Sequence, residues 1–268
     1  MSDEKSVEAA IQPGFNRARR PLTIARISLA LKRRLQLARH GIFSLPGQEI
    51  RIASVRIGNR TVPIVLPEEE RRVQEFELAN MVYFDCYGLS RVRRPVSTVL
   101  DIGANLGFFA LAARRRFPEA KIHSYEPNQD LEPFLAAHCS AAGADYFVEA
   151  VGASPGRVNL DRHQSTLHTV ARESEDGSTP QVAFADAVAR LGTVDLVKLD
   201  CEGAEWDIFS DPRPWANVRH LAMEYHLWAR PSLSVDHLRH HLSALGFSEI
   251  VIEPDPAGNW GMAWGRRN

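Results

Sequence analysis

The stretch "KLDCEGAEWD" crowds Asp200, Glu202 and Glu205 together at the end of an apolar run. Carboxylates set this close repel one another, so packing alone does not call for them; they suit binding a cation, or orienting and deprotonating a substrate. The next apolar run, "HLAMEYH", ends with Glu224 and His226. An imidazole titrates near neutral pH and a carboxylate beside it can fix its tautomer, which makes His226 the candidate base. The plainer alternative is a histidine that closes a strand with a hydrogen bond. Asp200 has two readings: it holds an acceptor group directly, or it joins Glu224 in ligating a Mg²⁺-type ion, since hard cations take oxygen ligands. Glu202 and Glu205 also suit the first turn of a helix, where acids are favoured, and Gly203 serves a tight approach there.

A second chemical signal is "STVLDIGANLGFFALAARRR", an apolar run that passes through a glycine turn into helical spacing. Gly103 and Gly107 stand in the pattern D-x-G-x-N-x-G rather than the G-x-G-x-x-G of dinucleotide sites, and Asp101 sits at the strand end. A carboxylate there would repel pyrophosphate and attract an ammonium group. S-adenosylmethionine carries an α-ammonium and a sulfonium and no phosphate, so it suits Asp101. One strand further on, Glu126 in "HSYEP" can accept bonds from two ribose hydroxyls. NAD competes, because Glu126 would serve its ribose equally well. The acid in the glycine turn and an antiparallel hairpin at the end of the chain decide against it.

The elements that must hold these residues alternate. From Val96 the chain reads as strand and helix in turn, with "STVLDIG", "AKIHSYEP", "DYFVEAVGAS", "VDLVKLD" and "VRHLAMEYH" as strands and helices near Gly107, Asp130 and Val235 to Leu245. That implies an α/β fold, a doubly wound, mostly parallel sheet. "FSEIVIEP" and "NWGMAWGRR" are joined only by "DPAG", too short for a helical crossover, so they pair antiparallel. The polar insert Arg172 to Pro180 reads as a mobile loop. Before Val96, "IRIASVRIG" and "RTVPIVL" form a hairpin around Gly58-Asn59, and a helix runs from Pro67 to near Gly88. No acid occurs between Ala9 and Gln48, whereas Arg17, Arg19, Arg20, Arg26, Lys32, Arg33, Arg34 and Arg39 do. Ile24, Ile27, Leu31, Leu35 and Ala38 recur at helical spacing, which predicts a helix docked on the core by that stripe with its arginines in solvent, the alternative being a patch for an anionic membrane or a nucleic acid.

The whole chain, 268 residues with 44% apolar and 24% charged side chains and a formal net charge of -1, is an ordinary globular composition with no global pull toward nucleic acid. Cys86, Cys139 and Cys201 form no C-x-x-C pair, which argues against a disulfide framework or a thiolate zinc site and fits a reducing cytoplasm. No run is long and apolar enough for an integral membrane segment, and "MSDEKSVEAA" does not read as a secretory signal.

"VLDIGANLGFFALAA", "YEPN" and "VDLVKLDCEGAEWDIF" resemble the FkbM-type methyltransferases, a branch of the class I enzymes that use S-adenosylmethionine. The resemblance covers Val96 to His226. It implies a seven-stranded Rossmann-like sheet and transfer of a methyl group, commonly to a hydroxyl of a sugar or natural product. By position it implies cofactor contacts from Asp101, Gly103, Asn105, Gly107 and Glu126, with Ala104 and Pro127 in the same turns. "FADAVARLG" lacks the Thr-Leu-Asp that often opens that helix in the family, so the substrate wall is left open there.

The expected protein is a cytoplasmic methyltransferase with a small-molecule or glycan acceptor and no nucleic-acid partner, with a homodimer as one oligomeric state open to it. Residues 1-95 form a helical and hairpin cover that shapes the acceptor pocket, and residues 96-268 form the S-adenosylmethionine-binding catalytic domain. Asp200, Glu224 and His226 are the candidate catalytic residues, and a divalent ion such as Mg²⁺ on Asp200 and Glu224 is an added possibility. Alternatives are N- or carboxyl-methylation on the same fold, a non-catalytic protein that keeps the cofactor fold, and a dehydrogenase. His237, His240 and His241 lack a zinc-helix partner and read as a solvated face. Trp228 lies nearest the candidate site in sequence, and Gln164 to His168 is a candidate specificity loop.

Overall fold

The computed structural model describes residues 24–43, 49–162, 169–256 and 258–268, with backbone only at 24–30 and 162. The expected specificity loop at Gln164 to His168, and Arg17, Arg19 and Arg20, lie outside the described residues. The chain divides into two units between Arg51 and Ile52. The first holds helix α1, Ile24–Ala38. The second begins with the hairpin β1 (Ser54–Ile57) and β2 (Arg60–Pro63) and helix α2 (Arg71–Val82), so contacts do not thin out at Val96, where the sequence suggested a boundary. The helix expected from Pro67 starts later, after one turn of tighter helix at Glu68–Glu70.

Strands β3 (Thr98–Ile102), β4 (Lys121–Tyr125) and β5 (Asp145–Phe147) alternate with helices α3 (Phe108–Arg116) and α4 (Glu132–Ala142). Four short strands then make a sheet of their own: β6 (Ala150–Gly152), β7 (Gly156–Arg162), β8 (Thr169–Glu173) and β9 (Thr179–Ala183), in the order β6-β9-β7-β8. This sheet was not foreseen. The polar insert expected to be a loop contributes the end of β8, which has no buried residue, and the start of β9, where one face packs and the other is more open. The chain returns through α5 (Phe184–Ala189), β10 (Val194–Leu199), α6 (Glu205–Ile208), β11 (Val218–His226), α7 (Val235–Ala244), β12 (Glu249–Pro254) and β13 (Trp260–Arg266).

The main sheet has seven strands in the order β12-β13-β11-β10-β3-β4-β5. Its strands are parallel apart from β13, which runs antiparallel to both β11 and β12, as the short "DPAG" connection requires. Every residue of β10 is buried, the condition of a central parallel strand covered on both faces. Succession reverses at its junction with β3: β4 and β5 follow on one side, β11 on the other. Open α/β sheets gather ligands at the carboxyl ends of the strands beside such a reversal. Both acidic segments of the sequence end there.

Candidate active site

Three adjacent strands build the floor of the site. Register sets Lys198 of β10 beside Asp101 of β3, and Asp101 beside Ser124 of β4. Lys198 Nζ lies 3.5 Å from Asp101 Oδ1 and 3.5 Å from Asp200 Oδ2, and it also donates to the Ile102 and Gly103 carbonyls. Ser124 donates to Asp101 Oδ2 at 3.2 Å. Burial opposes the charge on Lys198, but Asp200, Asp101 and Glu126 outweigh it and raise its pKa above the ordinary lysine value. Asp101 itself is fully buried, and burial pushes its carboxyl up against the pull of Lys198 and Ser124. The acid expected to meet a ligand ammonium therefore already faces an ammonium of the protein's own.

The two glycines of the turn also answer to the protein. Gly103 has φ +76, and a Cβ there would overlap the carbonyl oxygen of Asp200. Gly107, φ +81, lies against His138 and Leu135 of α4. Between them Asn105 takes φ +48, held by its amide, which donates to Glu126 Oε2 at 2.8 Å. Asn128 N donates to Glu126 Oε1 at 2.9 Å. Glu126 thus ties the turn after β3 to the turn after β4. Burial pushes its pKa up to about 7, although both amides pull it down.

Gly103, Asn105, Glu126, Pro127, Asp200 and Glu202 line a cleft here, together with Glu149, Val151 and residues of β8. Ala104 and Gly107 shape the turn without lining the cleft, and Asp101 sits beneath it. None of the described lining residues is basic. Glu149 is paired with Arg190 at 2.7 Å.

On the other flank, Tyr87 donates its hydroxyl to Asp200 Oδ2 at 2.6 Å. Tyr87 is fixed in turn by Trp264 Nε1, which donates to its carbonyl at 2.7 Å, and by an edge contact with Phe109. Burial would raise the Asp200 carboxyl, yet Lys198, His226 and the Tyr87 hydroxyl hold it below the usual carboxylate range. The turn "CEG" brings Glu202 in at φ +52. Glu205, the weaker candidate for which a helix start was the plainer reading, is fully buried. Its Oε2 accepts from Gly203 N at 2.8 Å, and its Oε1 accepts from His226 N at 2.9 Å and faces His226 Nδ1 at 3.0 Å.

His226 is buried with carboxylate oxygens at both ring nitrogens: Glu205 on Nδ1, and Glu224 (3.5 Å) and Glu202 (3.6 Å) on Nε2. Burial disfavours the charged ring, but Glu205 and Glu202 outweigh burial and hold His226 protonated well above the ordinary histidine range. Carboxylates on both ring nitrogens favour the charged imidazolium over the neutral ring that the expected role of base requires. Glu224 fits better. It is 29% exposed, and burial together with Asp200 lifts its pKa to about 7. Trp228 stands edge-on to the imidazole, and Trp206 donates to the His226 carbonyl.

Asp200, Glu202 and His226 come within 4.8 Å of one another through their ligating atoms. This is not the expected pair, since Glu224 falls outside the group, and two of its members are already engaged, Asp200 by Lys198 and Tyr87 and His226 by Glu205. The arrangement can instead draw a cationic ligand into an acid-lined cleft and accept a proton beside it. His237 caps α7 with Ser234 in a reciprocal capping box, and with His240 and His241 it is exposed; the His241 ring stands beside Trp206 and Phe209.

Lys198 and Tyr87 were missed by sequence reading. A lysine inside the otherwise apolar "VDLVKL" was the available signal for the first. Nothing near Tyr87 in sequence marks it, since it meets Asp200 only through the fold.

A family model for the methyltransferase FkbM domain matches residues 101–249. Methyltransferase sdnD of Sordaria araneosa is 27% identical, the match covering 47% of this chain and 65% of that protein. Methyltransferase 1 of Beauveria bassiana (strain ARSEF 2860) is 24% identical, with 48% of this chain and 64% of that protein covered. The chain thus spans somewhat less than two thirds of the length of these curated relatives. The solved methyltransferase FkbM of Methylobacillus flagellatus KT is 13% identical, with 75% of this chain and 56% of that chain covered at a TM-score of 0.48.

Proposed function

The chain belongs to the FkbM methyltransferase family, and from that premise we propose that it uses S-adenosylmethionine to methylate a hydroxyl group of a sugar or natural product. The observation that carries the cofactor reading is the cleft at the ends of β3, β4 and β10, which presents Glu126, Asp200 and Glu202 and no basic side chain among the described residues. Such a lining repels phosphate and attracts a cation. Bound S-adenosylmethionine supplies a methyl group on a positively charged sulfonium, beside an ammonium and without phosphate. Glu126 and Asn105, with Gly103 and Pro127, form its seat. Ala104 and Gly107 shape the turn, and Asp101 acts from beneath by fixing Lys198.

On the acceptor side, Asp200 orients the hydroxyl and Glu224 accepts its proton. A carboxylate with a pKa near 7 suits this task, because it is free to take a proton at working pH and holds it once taken. Protonation of Glu224 also relieves repulsion from Asp200 and Glu202. His226 stays charged and, held by Glu205, keeps Glu224 in place. Residues before Val96 contribute the acceptor wall through Tyr87 on Asp200. The acceptor is a small molecule or glycan, and the working compartment is the cytoplasm.

An amine acceptor is the second reading, because a protonated amine would also be drawn to Asp200, Glu202 and Glu224. Incubating the protein with methyl-labelled cofactor and cell extract, followed by mass spectrometry of the labelled product, separates the two. A methyl ether is expected; a methylated nitrogen or a methyl ester would overturn the hydroxyl assignment.

A further inference from the structure

We propose that α1 and the residues after it form a docking surface for an anionic lipid bilayer. The stripe Ile24, Ile27, Leu31, Leu35, Ala38 is the face that sequence spacing assigned to a protein core. Where side chains on it are described, the large ones lie open: Leu31 and Leu35, on successive turns, are each 58% exposed. Leu37, off that stripe, is the buried one. Phe43, just past the helix, is 79% exposed. Large apolar side chains on one helix face, left in water, are a site for a partner rather than a stable end state.

The charge says which partner. Lys32 sits exposed beside Leu31, and Arg39 is exposed one turn beyond Leu35. No acid falls between Ala9 and Gln48, so nothing in this stretch would repel an anionic surface. A short helix with leucines on one face, flanked by lysine and arginine, lies in the plane of a membrane interface, its apolar side chains entering the acyl boundary and its bases meeting the headgroups. A nucleic acid would satisfy the bases and leave Leu31, Leu35 and Phe43 in water. Among the described residues no helix is long and apolar enough to cross a membrane, so the contact is peripheral.

The test is co-sedimentation of the full chain with vesicles of phosphatidylcholine alone and of phosphatidylcholine with phosphatidylglycerol. Binding is expected only to the anionic vesicles, and it should weaken as salt rises. The L31D/L35D variant should lose it while keeping its cofactor affinity. Each base near such a surface contributes roughly fivefold, so K32Q/R39Q should bind about twenty-five-fold more weakly. No binding, equal binding to both vesicle types, or unchanged binding by L31D/L35D would overturn the proposal. So would a dimer in solution that L31D/L35D abolishes, which would assign this face to a second copy of the chain. Duplex DNA binding lost in K32Q/R39Q but kept in L31D/L35D would assign it to nucleic acid instead.

Discussion

At Glu224 the chemistry turns on which group holds the proton. His226, enclosed by Glu202, Glu205 and Glu224, is favoured in its charged form, and the carboxylate of Glu224 beside it is the proposed acceptor. The sign follows from the raised pKa: protonated Glu224 is inactive as a base, so turnover should rise with pH through about 7 and level off above it. Glu224→Gln should lower kcat by roughly 10²–10⁴-fold, the usual worth of a positioned base, and erase that limb while leaving cofactor affinity intact. A pH–rate profile of wild type and variant checks this, and a retained limb would move the base elsewhere. Lys198 makes a different prediction at the same scale. Lys198→Met strands Asp101 in the interior without its counter-charge, which should cost about 3–5 kcal/mol in a urea unfolding experiment. A change under about 1 kcal/mol would mean that Asp101 is not held as an ion pair.

At the scale of elements, the turn after β3 is shaped by the end of β10. Gly103→Ala should therefore leave little folded protein, or cost more than the ~3 kcal/mol that ordinary substitutions reach, because its methyl would meet the Asp200 carbonyl. Gly192→Ala is the control. It shares a positive φ, +84, but has open space around it, so only the backbone strain of about 1–2 kcal/mol applies. Comparable losses in the two variants, measured by thermal unfolding, would contradict the tight junction. Here the reach of sequence reading is plain. The strand that carries Asp101, the strand that ends at Asp200 and the closing hairpin were legible because apolar runs and short turns are local signals. The small sheet of β6 to β9 was not, since β6 is only three residues long and β8 carries no buried residue to mark a packed face. The pairing of Lys198 with Asp101, and of Tyr87 with Asp200, depends on register and on contacts far apart in the chain. So the acids and His226 were found, but Lys198 and Tyr87 were not, and the proposed role of His226 changed once its neighbours were known.

Across the whole molecule, the account rests on a sheet whose reversal point gathers acids from β3, β4, β10 and β11 around two internal cations, Lys198 and His226. Those cations are buried and engaged, so the negative charge at the cleft surface is left for a ligand. With Asp200 engaged by Lys198 and Glu224 by His226, treatment with EDTA should leave methyl transfer unchanged. The most direct measurement is calorimetric titration of the full chain with S-adenosylmethionine, S-adenosylhomocysteine and NAD. Micromolar binding of the first two, with none of NAD, is the predicted result. NAD binding in the absence of either adenosyl ligand would contradict an acid-lined seat for a phosphate-free cation.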